Sequence, residues 1–185
     1  MRVITQEDIN CDIRERASFQ KNTRELSEVV LDKYGLNSHY SLDAKIAIMN
    51  QLPSIYFSLD KQLTGKRILD LGCGSKNPTI EFNVANPRKY EPWLCRALLE
   101  TSAKPIGIDV GYLGDEEFEH YEGNLLLPST FFHISDQSVD LVNLSGVFGS
   151  RYSHGNIDQE SLKANIFSQA KRVLKPNGIF LYNDH

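Results

Sequence analysis

The sequence predicts an α/β protein in which an N-terminal helical extension precedes a doubly wound, mostly parallel sheet. Short apolar runs alternate with helix-like segments after residue 66, which is typical of parallel strands joined by helices. The first of these runs, Ile68–Leu71, breaks into a loop that carries Gly72 and Gly74. Open α/β sheets bind ligands where strands end in such loops, so this loop is the first candidate site.

Length and charge limit the classes of function. A chain of 185 residues has room for one sizeable core. The net charge of −4 gives no support for general affinity for nucleic acid or membranes. No apolar run approaches the roughly 20 residues that span a bilayer. Cys11, Cys73 and Cys95 lack metal-type spacing and cannot all pair, which favours a reducing, cytoplasmic compartment.

Residues 1–65 are expected to form a helical extension that packs on the core. Thr5 and Asp8 resemble a capping box at the start of a first helix, and Gly35 is a suitable stop. A second helix is expected from Ser41 to the vicinity of Pro53, and a third over Ile55 to Leu63.

The remaining elements follow from apolar runs and turn residues. Helices are expected at Trp93–Thr101 and Asp158–Leu174, the second ended by Pro176-Asn177-Gly178. The five expected strands are Arg67–Leu71, Pro105–Val110, His120–Leu125, Val139–Leu144 and Ile179–Tyr182.

Four segments, taken in order, resemble one enzyme family. Ile68-Leu-Asp-Leu-Gly-Cys-Gly-Ser-Lys-Asn-Pro78 resembles motif I of the class I S-adenosylmethionine (SAM) dependent methyltransferases. The acidic Asp109 at the end of the second strand and the segment Gly123–Pro128 follow at the family's positions. Ser138–Ser145, and then Ala170–Phe180, resemble the family's fourth strand and the helix, turn and strand after it. The resemblance covers roughly residues 66–183.

The resemblance implies a Rossmann-like domain over residues 66–185 with strand order 3-2-1-4-5, and SAM as the cofactor. The glycine loop would pass beside the carboxypropyl and ribose parts of SAM. Asp70 would brace that loop or meet the ligand amino group, Asp109 would accept from the ribose hydroxyls, and Asn124 would contact the adenine amino group. The full set of implied cofactor contacts is Asp70, Gly72, Cys73, Gly74, Asp109, Val110, Asn124, Leu125 and Ser145.

The sequence also departs from the family. Lys76 stands where a third glycine is common, and the stretch Ser75–Pro92 lengthens the spacing to Asp109. The family's last two strands have no counterpart before His185, which would leave strand five at an edge. Because an edge strand with unpaired backbone groups invites pairing, we expect a homodimer through this edge or a covering element such as the N-terminal helices.

The implied reaction is methyl transfer to an unidentified acceptor, a small molecule or a protein side chain. The loop Ser145–Asn156 is expected to face the acceptor. Within it, Tyr152 or His154 would deprotonate the substrate, or both are surface residues of the loop. No metal site is expected, because the histidines lack ligand spacing and Asp115–Glu117 fits a solvated acidic face.

Other readings remain open. A module that binds SAM or S-adenosylhomocysteine without turnover would have the same motifs. A nicotinamide-dependent dehydrogenase needs Gly-x-Gly-x-x-Gly, but the third position after Gly74 is Asn77. Gly72, Gly74, Asp109 and Asn124 also suit ligand-free turns, and Cys73 suits a small packing residue better than a nucleophile.

Overall fold

The computed structural model describes residues 1–5, 9, 13–36, 41–76, 88, 90–148 and 158–183. A short 3-10 helix, Pro128–Phe131, precedes the fifth strand. The other elements are, in chain order, β1 (Arg2–Thr5), α1 (Ile13–Lys33), α2 (Ser41–Ser58), β2 (Arg67–Leu71), α3 (Trp93–Glu100), β3 (Lys104–Asp109), β4 (Glu119–Glu122), β5 (Val139–Ser145), α4 (Gln159–Val173) and β6 (Leu174–Asn183).

A six-stranded sheet with the order β1-β6-β5-β2-β3-β4 forms the centre of the fold. Every pair of neighbouring strands is parallel. Counted from β2, the strands read 3-2-1-4-5, so the predicted α/β class and strand order are confirmed. Because all strands run the same way, the carboxyl ends of β2, β3, β4 and β5 meet at one edge of the sheet.

Helices cover both faces of this sheet. On one face, Ile68 of β2 and Leu181 of β6 pack in one apolar cluster with side chains of α1, α2 and α3. On the other face, Leu69 of β2 and Phe180 of β6 belong to a second cluster, which α4 completes. Neighbouring residues of a strand point to opposite faces, which is why continuous apolar runs form these doubly covered strands.

The prediction that the chain starts with helix is wrong for residues 2–5, which form β1. This strand pairs in parallel with β6, from Arg2 opposite Ile179 to Thr5 opposite Tyr182. Ile4 is buried in the cluster under α1 and α2, whereas Val3 is exposed. The edge of β6 is therefore covered by the chain's own first residues. The homodimer expected through this edge is therefore proposed only for a chain that lacks β1.

Deleting residues 1–5 is expected to produce dimers or larger species, because the outer edge of β6 would then present unpaired amide and carbonyl groups. Size-exclusion chromatography with light scattering measures the change. Val3→Thr, which alters one exposed side chain of the strand, is the control and should keep the mass of the intact chain. A folded truncated chain with the same oligomeric state as the intact chain would contradict the prediction.

Among the further boundaries that differ from the predictions are those of α2 and β6. Pro53 lies inside α2 rather than ending it, so the second and third expected helices are largely one. A proline inside a helix costs about 3 kcal/mol, and burial of Leu52 and Ile55 beside it offsets that cost. Likewise, β6 already begins at Leu174. Its pairing with β5 is irregular between Val139 and Leu141, which accommodates the predicted turn residues within the strand.

The helix expected before β6 is confirmed as α4. The Asp158 carboxylate caps it by accepting hydrogen bonds from the amides of Glu160 and Ser161. Across the described part of the chain, none of the helices combines the length and apolarity that crossing a bilayer requires.

Candidate functional site

The loop after β2 is a tight turn that depends on its glycines. Gly72 and Gly74 have φ of 72° and 93°, in the left-handed region that side chains other than glycine rarely adopt. The amides of Gly72 and Cys73 both donate to the Ile108 carbonyl of β3, at 2.8 and 3.1 Å. The loop is thus tied to the neighbouring strand at the carboxyl edge of the sheet.

The space that these glycines open is filled by the protein's own chain. A Cβ built on Gly72 would lie 2.6 Å from a methyl carbon of Val147, and one on Gly74 would lie 2.9 Å from the Glu91 carbonyl oxygen. The amide of Ser75 donates to the Tyr90 carbonyl at 2.6 Å, which holds that segment against the loop. Close packing of the loop by itself requires glycine at both positions, which is the ligand-free turn that the sequence left open.

Asp109 ends β3 and connects two loops. One carboxylate oxygen accepts from the Gly74 amide and the other from the Gly111 amide, both at 3.0 Å. Each oxygen of a carboxylate can accept more than one hydrogen bond, so Asp109 keeps acceptor capacity for a ligand hydroxyl. The adjacent Val110 has an exposed fraction of 59%, which leaves an apolar surface beside this carboxylate.

Asp70 is buried between β2, β5 and α3. The Asn143 side-chain amide donates to one carboxylate oxygen at 2.7 Å, and the Cys95 thiol lies 3.7 Å from the other. Burial raises the pKa of Asp70 to about 7, with the charge of Asp109 adding to it, while the bonds from Asn143 and Cys95 oppose the rise. Its second carboxylate oxygen has, among the described residues, only a thiol as hydrogen-bond partner.

Cys73 acts as a packing residue. Its sulfur would lie 2.8 Å from a Cβ on Gly107 of β3, and it clusters with Cys95, Leu113 and Phe118. The contact with the Cys95 thiol favours the Cys73 thiolate, but burial and the nearby carboxylates outweigh it and raise the pKa of Cys73. A buried thiol with a raised pKa is a poor nucleophile, which supports the packing interpretation.

Asn124 and Leu125 lie in the turn after β4, beyond the end of that strand. The Asn124 side-chain oxygen accepts from the Leu126 amide at 2.9 Å, and this local bond favours a turn over continued strand. Leu125 is buried, and its carbonyl accepts from the side-chain amide of Asn165 on α4 at 2.6 Å. Asn124 therefore faces solvent near the site with its oxygen already engaged.

Ser145 ends β5 at the same edge as Asp109 and is half-buried. The candidate bases Tyr152 and His154, together with most of the loop expected to face the acceptor, lie outside the described residues. So do Cys11 and most of the stretch between Ser75 and Pro92.

A buried charge network, which the sequence did not indicate, holds residues 90–91 against the glycine loop. Arg96 of α3 is fully buried and bonds the two oxygens of Glu116 at 3.0 and 2.6 Å and Glu91 at 2.5 Å. Arg88 bonds both oxygens of Glu91, at 2.7 and 3.0 Å. Although burial opposes it, these two arginines lower the pKa of Glu91.

Lys76, at the end of the glycine loop, belongs to the same network. Its ammonium lies 3.2 Å from carboxylate oxygens of Asp115 and Glu116. Lys76 thereby joins the loop from β3 to β4 to the glycine loop, and Arg96 joins the same β3–β4 loop to α3 through Glu116. The acidic run that fitted a solvated face therefore contributes one buried carboxylate, Glu116.

A separate open groove of about 460 Å³ lies between α1 and α2. Its lining includes Phe19, Tyr56 and Lys61, and also Thr64 and Thr101, which precede β2 and β3. It therefore lies at the amino ends of the strands, away from Asp70 and Asp109. Metal ligation has no support within the described ranges, since no group of three or more histidine, cysteine, aspartate or glutamate side chains there suits an ion.

No protein-family model matches the chain, and none of the curated proteins does. Among solved structures, the chain is similar to the crystal structure of the selenomethionine-substituted CurJ carbon methyltransferase, with 15% identity and a TM-score of 0.44. That similarity covers 92% of this chain and 51% of the other, so the chain spans about half of that structure.

Proposed function

We propose that the chain binds SAM at the carboxyl edge of its sheet and transfers the methyl group to a small molecule or a protein side chain. The observation that carries the proposal is the position of Asp109, whose carboxylate joins the glycine loop to the end of β3 and retains acceptor capacity. The order of motifs along the sequence supports it independently.

The side chains present fit the polar parts of SAM. Asp109 would accept from the ribose hydroxyls, beside the exposed Val110. The buried Asp70 would interact with the amino group, because its second oxygen has only a thiol for a partner in the described chain. The Gly72–Gly74 loop would lie beside the carboxypropyl chain. These assignments use the acidic and glycine residues that line one edge of the sheet.

SAM itself supplies the reactive methyl group when bound, so the protein's contribution is position and environment. The buried network around Arg96 holds residues 90–91 against the glycine loop and keeps that loop in one geometry. We propose the loop after Ser145 as the acceptor side, with Tyr152 or His154 as a base where the acceptor needs one.

Calorimetric titration with S-adenosylhomocysteine tests this proposal. We expect roughly micromolar affinity for the intact chain. Asp109→Ala should bind about 100-fold more weakly, because the ribose hydroxyls would lose their two hydrogen bonds to a charged carboxylate. Asp136→Ala, which removes an exposed carboxylate at the opposite end of the sheet, is the matched control and should bind like the intact chain.

Absence of binding by the folded intact chain would refute the proposal. If binding is present, transfer of radiolabelled methyl groups from SAM to a panel of acceptors distinguishes an enzyme from a module that binds without turnover.

A further inference from the structure

A polar chain of three side chains runs from the N-terminal helices to the candidate cofactor site. The side-chain amide of Asn143 donates to Gln51 Oε1 at 2.9 Å and to Asp70 Oδ1 at 2.7 Å. Gln51 lies on α2, Asn143 on β5 and Asp70 on β2, so three elements distant in sequence meet here. Asn143 and Asp70 are exposed by only 1% and 4%.

The sheet places Asn143 and Asp70 side by side. They are register partners of the parallel pair β2 and β5, and both face the layer formed by α1, α2 and α3. Asn143 interrupts the apolar run Leu141–Leu144, where an apolar side chain would pack more favourably. Both hydrogens of its amide group have acceptors, which fixes the orientation of the group and directs one hydrogen at Asp70.

We propose that Asn143 and Gln51 are positioning residues of the cofactor site: Gln51 orients Asn143, and Asn143 holds the Asp70 carboxylate ionised and directed toward the ligand's amino group. This inference rests on the proposed function. The inference adds a role for α2, which belongs to the N-terminal helical region: this helix sets the charge state of Asp70 without contacting the ligand.

The groups that face Asp70 make this role measurable. The Cys95 thiol of α3 and the Asn143 amide favour its charged form, while burial and the charge of Asp109 disfavour it; Cys73 lies in the same cluster as Cys95. Removing the Asn143 donor should therefore raise the pKa of Asp70 further. At neutral pH less of the carboxylate would then be charged, and an ammonium group would bind more weakly.

The test compares the intact chain with Gln51→Leu, Asn143→Leu and the control Gln62→Leu, an exposed glutamine at the other end of the sheet. Carbon-13 NMR follows the Asp70 carboxyl in the ligand-free chains from about pH 5 to about pH 9. Calorimetry gives the affinity for S-adenosylhomocysteine over the same range. We expect about tenfold weaker binding in Asn143→Leu and about threefold in Gln51→Leu near neutral pH.

The pH profile separates positioning from mere stability. In both variants the Asp70 titration and the pH midpoint of binding should move upward together, and the loss of affinity should shrink at high pH. A Gln51→Leu chain that keeps the Asp70 titration and the binding profile of the intact chain would overturn the inference, even if Asn143→Leu fails to fold. Absence of binding by the intact chain itself would instead overturn the proposed function, and this inference with it.

Discussion

Replacing Arg96 by methionine is expected to lower the free energy of unfolding by about 3 kcal/mol, because two buried carboxylates lose a fully buried cation and keep, among the described residues, only Arg88 and Lys76 as charged partners. The guanidinium of Arg96 is fully buried and bonds Glu116 through two nitrogens and Glu91 through a third. It also lies over the rings of Tyr34 and Trp93, at 4.2 and 4.5 Å from their centroids. Methionine fills much of the volume but replaces none of these bonds.

Urea unfolding at neutral pH measures the effect. The matched control is Lys45→Met, which removes a cation whose partner, Glu28, is exposed to 51%. Exposed pairs contribute at most about 1 kcal/mol, so this variant should unfold nearly like the intact chain. A loss in Arg96→Met as small as that of the control would show that the network adds no net stability.

The double variant Arg96→Met with Glu116→Leu refines this test. It should recover part of the loss, because one of the two buried carboxylates that Arg96 neutralises is removed along with it. Recovery would identify the buried negative charge of Glu116, rather than lost packing of the guanidinium, as the main cause of the instability.

The second large effect is the pH dependence of stability at Asp70. The pKa of this carboxyl rises from 3.8 to about 7 on folding, chiefly through burial. Well below pH 3.8 the carboxyl is protonated in the folded and the unfolded chain, and it then has no effect on the free energy of unfolding. As the pH rises from there to about 7, the unfolded chain loses this proton first, and the folded state becomes less stable by about 4 kcal/mol relative to a neutral side chain.

Asp70→Asn isolates this contribution, because asparagine keeps the size of the side chain and an oxygen that can accept from Asn143. The difference in unfolding free energy between the variant and the intact chain should grow in favour of the variant as the pH rises through this window, and then level off above about pH 8. Parallel pH profiles for the two chains would show that Asp70 has the same pKa in the folded and the unfolded state. The same variant should bind S-adenosylhomocysteine more weakly despite its greater stability at high pH.

Local signals in the sequence determined the α/β class of the fold and the edge of the sheet on which the candidate site lies. Apolar runs of strand length alternate with helical segments, and a parallel sheet is the arrangement that covers such runs on both faces. Gly72 and Gly74 follow β2 and Asp109 ends β3, so the direction of the strands alone brings them to one edge. The resemblance of the motifs then supplied the strand order, which the sheet confirms.

Only the tertiary structure decided the features that depend on contacts between distant residues. The sequence predicted a helix start at Thr5 and Asp8, but residues 2–5 form a strand, because the open edge of β6 offers them hydrogen bonds that no local pattern encodes. Pro53 is tolerated inside α2 because its neighbours are buried. Burial under the packed helices raises the pKa of Asp70 although Asn143 and Cys95 oppose the rise, and Arg96 bonds carboxylates on two separate loops. Hydrophobic periodicity predicts which face of a helix or strand a side chain lies on. Its contacts on that face are set only when the helices pack against the sheet.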